Sequence, residues 1–118
     1  MPAKQFGNRR KAARQPVKGL AVVSDPFNNL LVKAVIADLS LTGVGVRLTS
    51  LQLDKFLDTT VFMLHLLIPA WRQPVICFAT IDRLVPLKVG KLIGMSFVSI
   101  SDENLSLIRG QLYRESGG

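Results

Sequence analysis

Two short stretches carry side chains suited to holding an anionic heterocycle. In Arg10-Lys11-Ala12-Ala13-Arg14 two guanidinium groups lie four residues apart, with Arg9 beside them. In Asp38-Leu39-Ser40-Leu41-Thr42-Gly43 a carboxylate, a hydroxyl and a glycine follow the apolar run Val35-Ile36-Ala37. A guanidinium is a rigid planar fork. It binds phosphate oxygens in pairs, fits the O6 and N7 acceptors of guanine, and stacks on a purine face. A carboxylate where a strand leaves the core can accept from the N1–H and N2–H donors of guanine. Ser40 can donate or accept locally, and can also hold the turn. Gly43 permits positive φ or close backbone approach, and Gly45 adds a second small position on the same strand face. Together the two stretches point to a guanine nucleotide bound at the mouth of a small β domain. Taken singly each is weak. R-x-x-x-R arises by chance in basic segments, and the second motif also describes an Asx or Ser turn between two strands, closed by glycine.

These side chains need a frame that brings residues 10–14 to residue 38. The chain has 118 residues, 48% of them apolar, which is enough for one domain with its own core. Six of the 15 basic residues (Lys4, Arg9, Arg10, Lys11, Arg14 and Lys18) fall in the first twenty positions, where there is no acid. The net charge is +7, so the remainder of the chain is almost neutral. Residues 1–16 lack apolar periodicity and contain Pro2, Gly7 and Pro16, so they read as a flexible basic leader that orders when it meets an anion. Residues 17–118 read as the folded domain. Six β segments are expected, at 17–24, 30–39, 43–48, 60–68, 75–85 and 91–100, divided by turns such as Asp25-Pro26-Phe27-Asn28-Asn29 and 86–90. Residues 49–58 form a connection with a short helical turn, and 69–74 a hairpin loop carrying Trp71 and Arg72.

The last segment is expected to be a helix. Ser101 is its N-cap, Asp102 and Glu103 lie in its first turn, and Leu105, Ile108 and Leu112 recur at helical spacing. Gly110 weakens it by about 1 kcal/mol relative to alanine, and Gly117 and Gly118 end it. Six strands and a terminal helix predict an all-β fold: a closed six-stranded antiparallel barrel with the helix plugging one end, because closure removes exposed edges.

Other residues narrow the classes. Cys77, in Val75-Ile76-Cys77-Phe78-Ala79, reads as a small core residue. One cysteine and no disulfide framework suit a reducing compartment. With no secretory signal or membrane span visible, a cytoplasmic protein is expected. His65, between Leu64 and Leu66, reads as a strand residue rather than a metal ligand. Asp54, Asp58 and Asp82 show no catalytic or metal-binding spacing, and no P-loop, G-x-S-x-G or Cys/His cluster occurs. No enzyme activity, metal or cofactor is expected. Trp71 and Arg72 cap the barrel or meet a partner.

The order and separation of the two motifs resemble the signature of PilZ domains, receptors for the bacterial second messenger cyclic di-GMP. Arg10 and Arg14 match R-x-x-x-R, and Asp38, Ser40 and Gly43 match [D/N]-x-S-x-x-G. Ile93-Gly94-Met95-Ser96-Phe97 followed by a helix is similar to the end of that family's domain. The resemblance implies a six-stranded barrel with a C-terminal helix and a leader that folds over ligand on the barrel surface. It implies that Arg10 and Arg14 hold phosphates and contact guanine, that Asp38 and Ser40 read guanine, and that Gly43 leaves room for it. Arg9 is expected to share phosphate contacts.

The leading expectation is a binding module that captures cyclic di-GMP, orders its leader around it, and presents a new face to a downstream protein. Some family members take up an intercalated pair of ligands, so a monomer and a ligand-dependent dimer both remain open. A basic nucleic-acid-binding barrel is the first alternative. The leader argues against it, since Phe6 is its only aromatic residue and single-strand binders use several stacking platforms. A ligand-free scaffold in motility or polysaccharide-secretion machinery is the second.

Overall fold

Alternation of apolar with polar residues builds one closed sheet. The computed structural model describes residues 14–49, 56 and 59–115. In chain order the elements are β1 (Gln15–Pro16), β2 (Leu20–Ser24), β3 (Leu30–Leu39), β4 (Gly43–Leu48), β5 (Val61–Leu67), β6 (Val75–Pro86), β7 (Lys91–Ile100) and α1 (Asp102–Glu115). The strands lie in the order β1-β3-β2-β5-β6-β7-β4, and pairing of β3 with β4 closes β2 to β7 into a six-stranded antiparallel barrel. The seventh strand, β1, lies outside the barrel against the end of β3. It occupies residues 15 and 16, inside the segment assigned to the leader by composition. The connection over 49–58 lies outside the described residues except for Thr49 and Phe56, as do Arg9, Arg10, Gly117 and Gly118.

Inward positions follow the period of two. Ala21 and Val23 of β2, Val32, Ala34 and Ile36 of β3, and Val44, Val46 and Leu48 of β4 are buried. Phe62, Leu64 and Leu66 of β5, Cys77 and Ala79 of β6, and Ile93 and Met95 of β7 complete the interior. Each large side chain so buried stabilises the fold by about 1.5–3 kcal/mol relative to exposure. Burial pushes the Cys77 thiol up to about 12, as suits a core residue. Phe56 packs on Phe62 with ring centroids 4.9 Å apart.

The turns use the residues the sequence supplies. The Asp25 carboxylate accepts from the Phe27 and Asn29 amides, 2.9 Å each, while Asn28 adopts φ 69° to bring the chain back. Ser101 caps α1 by accepting from the Asn104 amide at 3.1 Å. Buried Ile108 and Leu112 dock the helix against the body, with contacts to β1 and β6. Trp71 is buried in its hairpin loop, which fits the capping reading.

Candidate functional site

Two irregularities in the sheet set the chemistry of its outer wall. In β3 the inward series runs Val32, Ala34, Ile36, and an unbroken period of two would drive the Asp38 carboxylate into the core. A β-bulge between Ile36 and Asp38 adds one residue, Ala37, against β4. The phase then reverses, so that Leu39 is buried and Asp38 stands on the wall. Strand β6 does the same. Its inward series Val75, Cys77, Ala79 would continue to Arg83, but the register shifts between Ile81 and Arg83 and Arg83 emerges exposed.

The two re-aimed charges lie on one row. Asp38 pairs with Gly45, Gly45 with Gly94, and Gly94 with Arg83, across β3, β4, β7 and β6. Three strand spacings make this row about 14 Å wide. Its middle is bare backbone. A Cβ on Gly45 would come 2.7 Å from Asp38 Oδ1, and one on Gly94 would come 2.9 Å from Arg83 Cγ and 3.0 Å from its Nε. A carboxylate therefore leans over the first glycine and a guanidinium stem over the second. Both glycines are buried beneath those side chains, so a planar ring reaches their backbone where the carboxylate and the guanidinium stem swing aside.

Arg14 reaches this row through β1. Pairing of Gln15 with Leu39 and Pro16 with Asp38 delivers the end of the leader beside the carboxylate. Arg14 then donates from Nη1 to Asp38 Oδ1 at 2.9 Å, both side chains being about one-quarter exposed (28% and 21%). At that exposure the pair contributes roughly 0–1 kcal/mol to stability, so a ligand with better-placed donors can displace the guanidinium.

Ser40 and Gly43 play a different part in the described state. Ser40 is fully buried. Its hydroxyl oxygen accepts from the Thr42 and Gly43 amides at 3.1 Å each, and its own amide donates to the Gly43 carbonyl at 2.9 Å. The hydroxyl thus closes the tight turn from β3 to β4, one residue beyond Asp38 and Leu39. Gly43 is needed for close strand packing, because a Cβ there would overlap the Met95 carbonyl oxygen of β7. The second motif therefore divides: Asp38 faces the wall, while Ser40 and Gly43 set the turn and the strand approach that hold Asp38 there. Arg83 was not among the residues singled out by the sequence. The available signal was a cation in phase with buried residues of an apolar strand.

Nearby lies a cleft of about 680 Å³ between Pro16, Lys18, Val35 and Arg47 on one side and Gln111 and Glu115 of α1 on the other. Neither Asp38 nor the two glycines line it. Among the described residues no cluster of His, Cys, Asp and Glu has the makings of a metal site, and no helix is long and apolar enough to cross a membrane.

A closed barrel with charged groups brought out by bulges over paired glycines, and Arg14 laid against one of them, has the makings of a small ligand-receptor domain. The family model of the PilZ domain matches residues 8–114, and the chain belongs to that family. PilZ domains bind cyclic di-GMP. No curated protein matches the chain by sequence. Among solved structures, the Bacillus subtilis inhibitor of motility MotI/DgrA aligns with a TM-score of 0.72 at 13% identity. That alignment covers 92% of this chain and 51% of the other, so the chain spans about half the length of that relative. The PilZ domain of YcgR from Escherichia coli, solved with c-di-GMP, aligns with a TM-score of 0.71 at 15% identity and covers 92% of both chains. These likenesses establish the fold.

Proposed function

We propose that this domain is a cyclic di-GMP receptor whose basic leader closes over the ligand. The observation that carries the reading is the row Asp38–Gly45–Gly94–Arg83, with Arg14 already seated at its carboxylate end. A guanine laid on the glycine floor offers N1–H and N2–H to Asp38, in place of the Arg14 guanidinium. Arg14, released, turns to phosphate or to the acceptor edge of the base, where Arg10 and Arg9 join it. Arg83 meets the ligand from the opposite side as a flat cation suited to stacking or to phosphate. Ser40 and Gly43 support the site by fixing the turn and the approach of β4 to β7.

Exchange of one ion pair for a ligand contact is also the signal. The leader joins the outside of the barrel through β1, and α1 touches both β1 and β6, so a leader drawn over the ligand alters the surface that β1 and α1 share. A downstream protein reads that surface. Two-state exchange of this kind needs only a small differential affinity, because the Arg14–Asp38 pair it breaks is weak.

Isothermal titration of the purified chain with cyclic di-GMP, with GTP as control, tests the proposal. Saturable binding selective for the cyclic dinucleotide is expected, its stoichiometry separating one ligand from an intercalated pair. Arg14→Ala or Arg10→Ala is expected to weaken it by at least about tenfold, the loss of one bidentate contact. Unchanged affinity in a folded variant overturns the clamp.

A further inference from the structure

The tip of the β6–β7 hairpin carries a surface that the ligand site does not use. From Leu84 to Val89 every residue except half-buried Val85 is exposed. Three are large and apolar: Leu84 is 44% exposed, Leu87 40% and Val89 84%. Lys88 lies between Leu87 and Val89, Lys91 follows on the return strand, and no acid occurs between Asp82 and Asp102. Among the described residues neither lysine side chain has a hydrogen bond or an ion pair. The tip is also preformed. The Leu87 amide donates to the Gly90 carbonyl at 3.1 Å, Gly90 takes φ 78°, and its Cα lies so close to the Leu48 carbonyl of β4 that a Cβ would overlap it.

A hairpin end with exposed aliphatic side chains and lysines among them matches a negatively charged bilayer surface. Leucine and valine can enter the boundary between headgroups and acyl chains. Each lysine can lie along the apolar layer and place its ammonium at a phosphate. Its exposed side chains beyond Arg83 are aliphatic or lysine, without the mixed donors and acceptors that fix the orientation of a folded partner, which disfavours a protein surface. We infer that the β6–β7 hairpin tip is a docking point for anionic lipid, holding the domain peripherally on a membrane. Arg83 lies on β6 four residues before Leu87, which follows the end of that strand, so the glycine row would sit roughly 13 Å above the surface.

The basic leader would also be drawn to anionic vesicles, so the test must report from the tip itself. A polarity-sensitive fluorophore attached through Val89→Cys does so, because the buried native thiol of Cys77, raised to about 12, does not compete for the label. Vesicles of phosphatidylglycerol should blue-shift the label and those of phosphatidylcholine should not, both without nucleotide. Lys88→Glu with Lys91→Glu should weaken the shift by about tenfold, and high salt should weaken it similarly. A label that stays in water on phosphatidylglycerol, or that shifts equally on both lipids, overturns the inference. So does a shift produced by detergent-solubilised membrane proteins but not by vesicles, which assigns the tip to a protein partner. None of these outcomes depends on cyclic di-GMP binding.

Discussion

Alanine at Gly43 and alanine at Gly45 are the same chemical change two residues apart on one strand, yet the structure separates their consequences. At Gly43 the new methyl overlaps the Met95 carbonyl oxygen and crowds Ser96 Cα, at 3.3 Å. Both are backbone atoms of β7, which is held in the barrel by pairing on both sides, with β4 and β6. Relief requires β4 to move away from β7, at a cost in the upper part of the about 1–3 kcal/mol typical of overpacking. At Gly45 the methyl meets only the end of a side chain, with Asp38 Oδ1 at 2.7 Å and Oδ2 at 3.0 Å. The carboxylate can rotate off the floor. What is lost in stability is mainly the exposed pair with Arg14, roughly 0–1 kcal/mol. What is lost in recognition is the placement of the guanine-reading carboxylate, about 1–3 kcal/mol, or roughly five- to 150-fold in affinity. Urea unfolding and titration with cyclic di-GMP on both variants form the assay. Gly43→Ala should lower the unfolding midpoint by about 1 M or more at an unchanged slope, while Gly45→Ala should unfold almost as the parent does and bind poorly. A Gly43→Ala variant as stable as the parent would refute the packing argument. A Gly45→Ala variant with parental affinity would remove Asp38 and its floor from the site.

Three further outcomes are expected. Arg83→Ala should leave the unfolding free energy within about 0.5 kcal/mol of the parent, as for an exposed cation, and weaken cyclic di-GMP binding by several fold; equal affinity by titration would exclude Arg83 from the site. Ser40→Ala removes a buried acceptor from two backbone amides and should cost about 1–3 kcal/mol in unfolding free energy, so a neutral result would show that the turn holds without it. Hydrogen bonds from Asn29 hold the Asp25 carboxyl below its ordinary 3.8. A depressed carboxyl favours folding above its unfolded value, so the contribution of this turn should be constant at neutral pH and vanish only as the pH falls through the lowered value. An Asp25 carboxyl resonance titrating at or above 3.8 would contradict that.

The sequence by itself determined the six barrel strands, the terminal helix and its Ser101 cap, the Asp25 turn, the core role of Cys77 and the family. Each of these rests on local information: a period of two, a capping side chain, a turn residue, or a motif contiguous in the chain. The six expected segments return as β2 to β7, with ends trimmed at 17–19, 60 and 68 and β6 running on to Pro86. Tertiary structure alone decided which face each site residue occupies. Phase counted along β3 buries Asp38 and phase counted along β6 buries Arg83. The bulges that reverse both belong to pairing with β4 and β7, and a strand carries no record of where its neighbour will slip by one residue. Pairing likewise drew residues 15 and 16 out of the leader into β1, because the edge of β3 offers hydrogen bonds that no pattern within those two residues could announce. The two glycines became a floor only when Gly45 met Gly94 across strands about fifty residues apart in sequence, which is a fact of register and not of motif.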